Sequence, residues 1–298
     1  MQGVILSPPD ERDYLVKQIA PELPKSVSLE NLFTVRDQLF CGTCVGKAGA
    51  GILSAFKSAE LSSLYIYRRC KELDGLPMEG TYPRVALKVM QKDGSCPDYM
   101  LPYSKLKACL LPPAITEEQQ MAAEEYRIDG YARCYSNSEI KQALANGQLI
   151  MAVILCGDNF MEYKSGVVGL PTGELHGYHC VILCGYDDDK QAFRGVNSWS
   201  EGWGEEGLFW LDYKVSLPEA WAVNATKTNM ESDQPMDSLW ERMKSRKFIL
   251  AVVSAAIILA NEGLGFNLPE ETILKFVLVI LGFIFTEGAA DVVSRFKN

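Results

Sequence analysis

The 298-residue sequence predicts an α+β fold, with a helical half and a strand-rich half flanking a cleft and a hydrophobic helical hairpin at the C-terminal end. Three observations predict it. Apolar residues between Cys44 and Asp93 recur at helical spacing. The stretch from Leu149 to Leu211 is a series of short β-branched runs ended by Gly or Asp. Two segments near the end are apolar all round, unlike a surface helix.

In chain order, Cys44–Ala59 (CVGKAGAGILSAFKSA) is rich in Ala, Gly and Leu and reads as a helix that begins at Cys44. Leu61–Leu73 and Arg84–Asp93 suit further helices, the second stopped by Gly94. Leu149–Leu155, His179–Tyr186, Ala192–Asn197 and Gly207–Leu211 read as strands. Helices first and strands later suggest segregated layers with a cleft between them. Residues 1–223 thus form the first domain and 224–243 a polar linker. Residues 244–298 form the hairpin.

Composition narrows the function. An apolar fraction of 48% and a charged fraction of 22% are those of a globular chain. A net charge of −9 speaks against nucleic acid, whose phosphates demand clustered Lys and Arg. The nine cysteines are an odd number, and the start carries no basic region followed by an apolar run. A reducing compartment and mostly unpaired thiols are therefore expected. With two histidines in the chain no metal cluster can be argued, and no cofactor is expected.

Four polar residues stand in a chemically meaningful order: Gln38, Cys44, His179 and Asn197. A thiol attacks an amide carbonyl as thiolate, which the unpaired N–H groups of a helix N-terminus stabilise. A histidine within reach completes the ion pair and protonates the leaving amine. An amide such as Asn197 orients the ring by accepting its far N–H. The Cys44 backbone N–H and the Gln38 amide could serve the oxyanion, each such donor contributing about 3 kcal/mol.

The segments carrying these residues resemble the papain family of cysteine peptidases. VRDQLFCGTCVGKA (35–48) is similar to its nucleophile motif, Asp-Gln followed by Cys-Gly-Ser-Cys. GYHCVILCGYDDDKQAFRGVNSWSEGWGEEGLFWL (177–211) resembles its His and Asn blocks together. The Cys-to-His separation of about 135 residues also fits. LSSLYIYRRCKELDG and LKVMQKDGSCPDYMLPY look like the bacterial and phage branch, so the resemblance spans about Ser7 to Val223. It implies Gln38 as oxyanion donor, Cys44 as nucleophile, His179 as base, Asn197 as orienter and Trp199 as shield of the His–Asn bond. Trp199, Asp158 and Phe160 are the candidate substrate contacts, the last two because they sit where relatives have a cleft-bordering loop. His176 is expected to be a loop residue.

Departures from the family pattern touch shape rather than polar atom types. Val45 and Gly46-Lys47 replace Trp and Ala-Phe, Leu39 stands where Gly follows the glutamine, and Ser200 replaces the Gly after Trp199. About forty residues precede Cys44, against the long inhibitory propeptide of secreted relatives. The Cys-Asn-Gly-Gly segment is missing; Cys41 could reach Cys70 instead, though free thiols are expected.

Phe248–Ala260 and Ile273–Thr286 run for about thirteen and fourteen residues, short of the ~20 of a spanning helix unless their flanks are included. Arg242, Lys244, Arg246 and Lys247 precede the first, and Arg295 and Lys297 follow the second. The intervening loop is acidic, which by the positive-inside rule places both ends in the cytoplasm. The tail resembles small two-helix, holin-like phage membrane proteins. The expectation is a cysteine endopeptidase acting on a peptide or protein substrate, tethered to a lipid bilayer with its catalytic domain on the cytoplasmic side. Alternatives are a non-catalytic membrane protein with a peptidase-like partner-binding domain, a cell-wall amidase acting in lysis, and a hairpin used for self-association.

Overall fold

The computed structural model describes residues 3–16, 22–104 and 114–226. They fall within one compact unit, Met1–Thr228. The apolar hairpin and most of the polar linker lie outside the described residues.

The helical half is built on α1 (Cys44–Lys57), whose neighbours are α2 (Ser63–Asp74) and α3 (Pro83–Lys92). Each boundary has a local cause. Ser62 caps α2 by accepting the N–H of Tyr65, and left-handed Gly75 ends that helix. Pro83 opens α3 at its first turn, where no amide hydrogen is needed. Helix α1 is buried nearly all round, consistent with its Ala- and Gly-rich composition. A Cβ at Gly46 would sit 2.9 Å from the Ser63 carbonyl oxygen, so glycine there permits the close crossing of α1 and α2.

The strand half is one sheet. Strands β1 (Ser26–Ser28), β2 (Gly130–Arg133), β3 (Leu149–Gly157), β4 (Val167–Val168), β5 (Leu175–Asp187), β6 (Ala192–Val196), β7 (Leu208–Asp212) and β8 (Glu219–Asn224) build it. Their order is β2-β8-β3-β5-β6-β7-β4, with β1 added to β5. Three short helices accompany them: α4 (Glu117–Ala123), α5 (Asn137–Ala145) and α6 (Asp158–Met161). Central β5 pairs antiparallel with β3 and β6, setting His179 opposite Ile154 and Ile182 opposite Val196.

Period-two alternation divides the sheet into two faces. Met151, Val153, Cys180, Ile182 and Trp221 join α1, α2 and α3 in one core. Ile150, Ala152, Ile154, Val181, Leu183 and Phe209 pack with α5 in a second. An α+β architecture with a helical half and a strand-rich half, as expected from the sequence, is observed among the described residues. The strands at 130–133 and 219–224 were not expected. The latter ends at Asn224, and Ala225 is still buried.

One cysteine expectation is corrected. Cys41 is disulfide-bonded. Cys70 is a free, buried thiol. The expectation of a free thiol thus holds for Cys70 and fails for Cys41, and the alternative Cys41–Cys70 pairing does not occur; the two belong to different apolar clusters, Cys70 with α1 and Cys41 with Leu64, Tyr65 and Cys96.

Candidate active site

Cys44 is the first residue of α1, with Thr43 as its N-cap. The Thr43 hydroxyl does not cap the helix; it meets the Tyr103 phenol at 2.8 Å. The first N–H groups of α1 are therefore left near the sulfur. Those of Cys44 and Val45, with that of Cys180 on β5, favour the thiolate. Burial opposes them and wins, pushing the Cys44 thiol up to about 12.

His179 is on β5, next to Cys180, and Asn197 directly follows β6. Antiparallel pairing of those strands brings the two side chains together, with His179 Nε2 2.8 Å from Asn197 Oδ1. The same Oδ1 accepts the backbone N–H of Ser198 at 2.8 Å, which fixes the amide's orientation. Nε2 therefore carries the proton, and Nδ1 is left as the basic nitrogen. Trp199 stacks on the imidazole at 4.6 Å between ring centroids, covering the hydrogen bond. Burial lowers the His179 pKa to about 4 despite the opposing Asn197 bond.

Gln38 is fully buried in the loop before α1. Its backbone N–H reaches Ser198 O at 2.9 Å, its Oε1 accepts from Ser198 Oγ at 2.7 Å, and its Nε2 donates to Cys41 O at 3.0 Å. The loop thus ties the helical half to the segment that follows Asn197. Leu39 and Ser200, where the family pattern has glycine, both adopt positive φ, 56° and 65°. The backbone keeps the conformation that glycine would favour, at a cost on the order of 1 kcal/mol or more per residue.

The remaining candidates divide. Phe160 is only 3% exposed and packs edge-on to Trp199 and Phe209, beneath the imidazole rather than at a surface. Asp158 is half-buried and bonded to His176 Nε2 at 2.7 Å, and that bond holds its carboxyl below the usual range. His176 is thus at the end of a strand, not in a loop, three residues from His179.

The thiol is covered. Cys44 has no exposed surface, and a Cβ on Gly3 would lie 2.6 Å from its sulfur. Beyond Gly3 the chain bridges Val4 to Thr81 in parallel, and Ile5 N–H donates to Thr81 O at 3.1 Å. Ser7 N–H bonds the buried Glu219 carboxylate, and Arg84 holds Pro8 O and Asp13. No motif signalled this segment. Its one sequence cue was the short apolar run Val4–Leu6 ahead of Pro8-Pro9. Tyr103, Ser198 and Thr81 were likewise missed, because their roles arise from contacts remote in sequence.

Known proteins share this arrangement's framework. Residues 23–232 match the model of the papain family cysteine proteases. An uncharacterized peptidase C1-like protein of Acanthamoeba polyphaga mimivirus is 28% identical over 73% of this chain and 83% of its own. A cathepsin B-like cysteine proteinase of Haemonchus contortus is 26% identical, and the match spans 59% of this chain and 63% of that protein. Among solved structures, xylellain, a cysteine protease from Xylella fastidiosa, aligns with a TM-score of 0.67 at 26% identity, covering 76% of this chain and 96% of its own. Bromelain from Ananas comosus, at 23% identity and a TM-score of 0.56, shares the fold. With the family model matching well over half its length, the chain belongs to the papain family of cysteine peptidases.

Proposed function

We propose that this peptidase hydrolyses internal peptide bonds with Cys44 as nucleophile, His179 as general base and acid, Asn197 as orienter and Gln38 as oxyanion donor. The observation that carries the proposal is the His179–Asn197 bond of 2.8 Å, with the neighbouring N–H of Cys180 directed at a cysteine that opens a helix. In the cycle, the Cys44 proton passes to His179 Nδ1 and the sulfur adds to the substrate carbonyl carbon. The tetrahedral oxyanion sits against the Cys44 N–H and the Gln38 amide. Its collapse breaks the C–N bond, and His179 gives its proton to the departing amine. Water, deprotonated by His179, then attacks the thioester, releasing the acid and regenerating the thiol.

Peptide entry requires residues 3–8 to leave the cleft. Water returning to Cys44 and His179 removes the desolvation that keeps both neutral, and the ion pair becomes accessible. The covered thiol is also what a partner-binding module without catalysis would have, and that is the second reading. Turnover separates the two. The wild-type chain is expected to cleave quenched-fluorescence peptides and Cys44→Ala to cleave none; equal rates in both would contradict the proposal.

The tether is part of the same proposal. It rests on the two apolar segments and their flanking charges, which lie outside the described residues. Among the described residues no helix is long and apolar enough to cross a membrane.

A further inference from the structure

Lys47 is the buried charged residue of α1, and the chemistry above does not use it. It stands three positions after Cys44 on a helix otherwise buried through small and apolar side chains, and it is itself only 5% exposed. Its Nζ lies 3.2 Å from the centroid of the Tyr103 ring. Among the described residues no carboxylate is within ion-pairing distance of that Nζ. The charges around it are Arg36, Asp98, Asp37 and Glu60, and burial lowers its pKa to about 7. A methionine would fill similar volume without desolvating an ammonium. The buried charge therefore calls for a role, and its neighbour supplies one.

The Tyr103 phenol donates to Gln38 O at 2.7 Å, so its single proton is committed and the Thr43 hydroxyl donates to it at 2.8 Å. Gln38 and Thr43 bracket the loop that presents the oxyanion donor and leads into Cys44. Within that loop Leu39 is held at φ 56°, against the preference of a branched side chain. Gly42 N–H is fixed at the loop's far end by Glu79 at 2.7 Å. One ring thus spans both ends of a strained loop, and the ring's face is occupied by Lys47.

We propose that Lys47 is a positioning residue: its ammonium seats Tyr103, and Tyr103 clamps the 38–43 loop in the conformation that Leu39 resists. Two departures from the family motif, Leu39 and Lys47, are then coupled, the second offsetting the strain of the first. This inference rests on the peptidase reading for its kinetic consequences, but not for its structural ones.

The test uses the full chain and compares Lys47→Met, Lys47→Arg, Leu39→Gly and the Leu39→Gly/Lys47→Met pair. Lys47→Met is expected to lower kcat on a peptide amide about tenfold through a misplaced oxyanion donor, with KM within about twofold. Cys44 alkylation by iodoacetamide, which needs a thiolate but no oxyanion donor, is expected to stay within about twofold. Lys47→Arg restores most of kcat, and Leu39→Gly makes the loss of Lys47 nearly silent. An unchanged kcat in Lys47→Met, an equal fall in alkylation, or no relief from Leu39→Gly overturns the inference. A wild type that cleaves no peptide fails the peptidase reading instead. The clamp is then judged by urea unfolding of Lys47→Met, Tyr103→Leu and their double variant. Non-additive midpoint shifts support the coupling and additive ones reject it.

Discussion

His179 illustrates how one residue's environment sets both its chemistry and its contribution to stability. Its pKa of about 4 in the folded state lies below the ~6.5 of an unfolded chain because burial penalises the imidazolium. Between those values the unfolded state binds more protons, so stability is full above pH ~6.5 and is lost as pH falls toward 4. A shift of that size corresponds to ~3 kcal/mol. Urea unfolding of the wild type is expected to lose about that much more between pH 7 and pH 4 than unfolding of His179→Phe. Parallel pH profiles would show that the ring is not held neutral by burial. At this scale the sequence was most informative where chemistry is dense. Gln38, Cys44, His179 and Asn197 could be picked out because each sits inside a block of distinctive neighbours. Phe160 illustrates the opposite case. Its place where relatives have a cleft-bordering strand and loop suggested a substrate contact, yet its ring, carried by the short helix α6, faces Trp203 and Phe209, and a resemblance does not say which way a ring will point.

Among the elements, the segment over the cleft has the largest functional consequence. The segment is held by buried Val4, by hydrogen bonds to Thr81 and Glu219 and by the Arg84 side chain, few contacts for its length, so local opening is accessible. Gly3 is the point of contact with the sulfur, and a side chain there cannot be accommodated without displacement. Gly3→Leu is expected to speed Cys44 alkylation at pH 7 by about tenfold or more, read by mass spectrometry of the labelled peptide. An unchanged rate would mean that the segment does not govern access. Helices α1, α2 and α3 were legible within two or three residues because their apolar period is long and their ends carry Ser62, Gly75 and Pro83. Strand β2 was not, since four residues of mixed polarity carry no period, and β8 begins at a buried glutamate that reads as a turn.

For the whole molecule, a single sheet serves two cores and holds the proposed base His179 on β5 and the proposed orienter Asn197 just beyond the adjacent β6. Helix α1, packed on β5, brings Cys44 beside Cys180, the neighbour of His179. The α+β class and the cleft followed from helical spacing giving way to strand spacing along the chain. The order of strands did not, because β8 returns between β2 and β3, a pairing that no local pattern records. The proposed tether is tested at this scale as well. The full chain is expected to float with liposomes carrying anionic lipid while a chain ending at residue 228 stays in the soluble fraction, and equal partitioning would remove the tether from the proposal.

The pH dependence of Cys44 alkylation, measured in Gly3→Leu protein with His179 present and with His179→Ala, tests the central claim most directly. The expected result is an apparent pKa well below the free-thiol value of ~8.5 that rises when His179 is removed. An ordinary thiol pKa indifferent to His179 would contradict a working thiolate–imidazolium pair, and with it the assignment of Cys44 as a nucleophile.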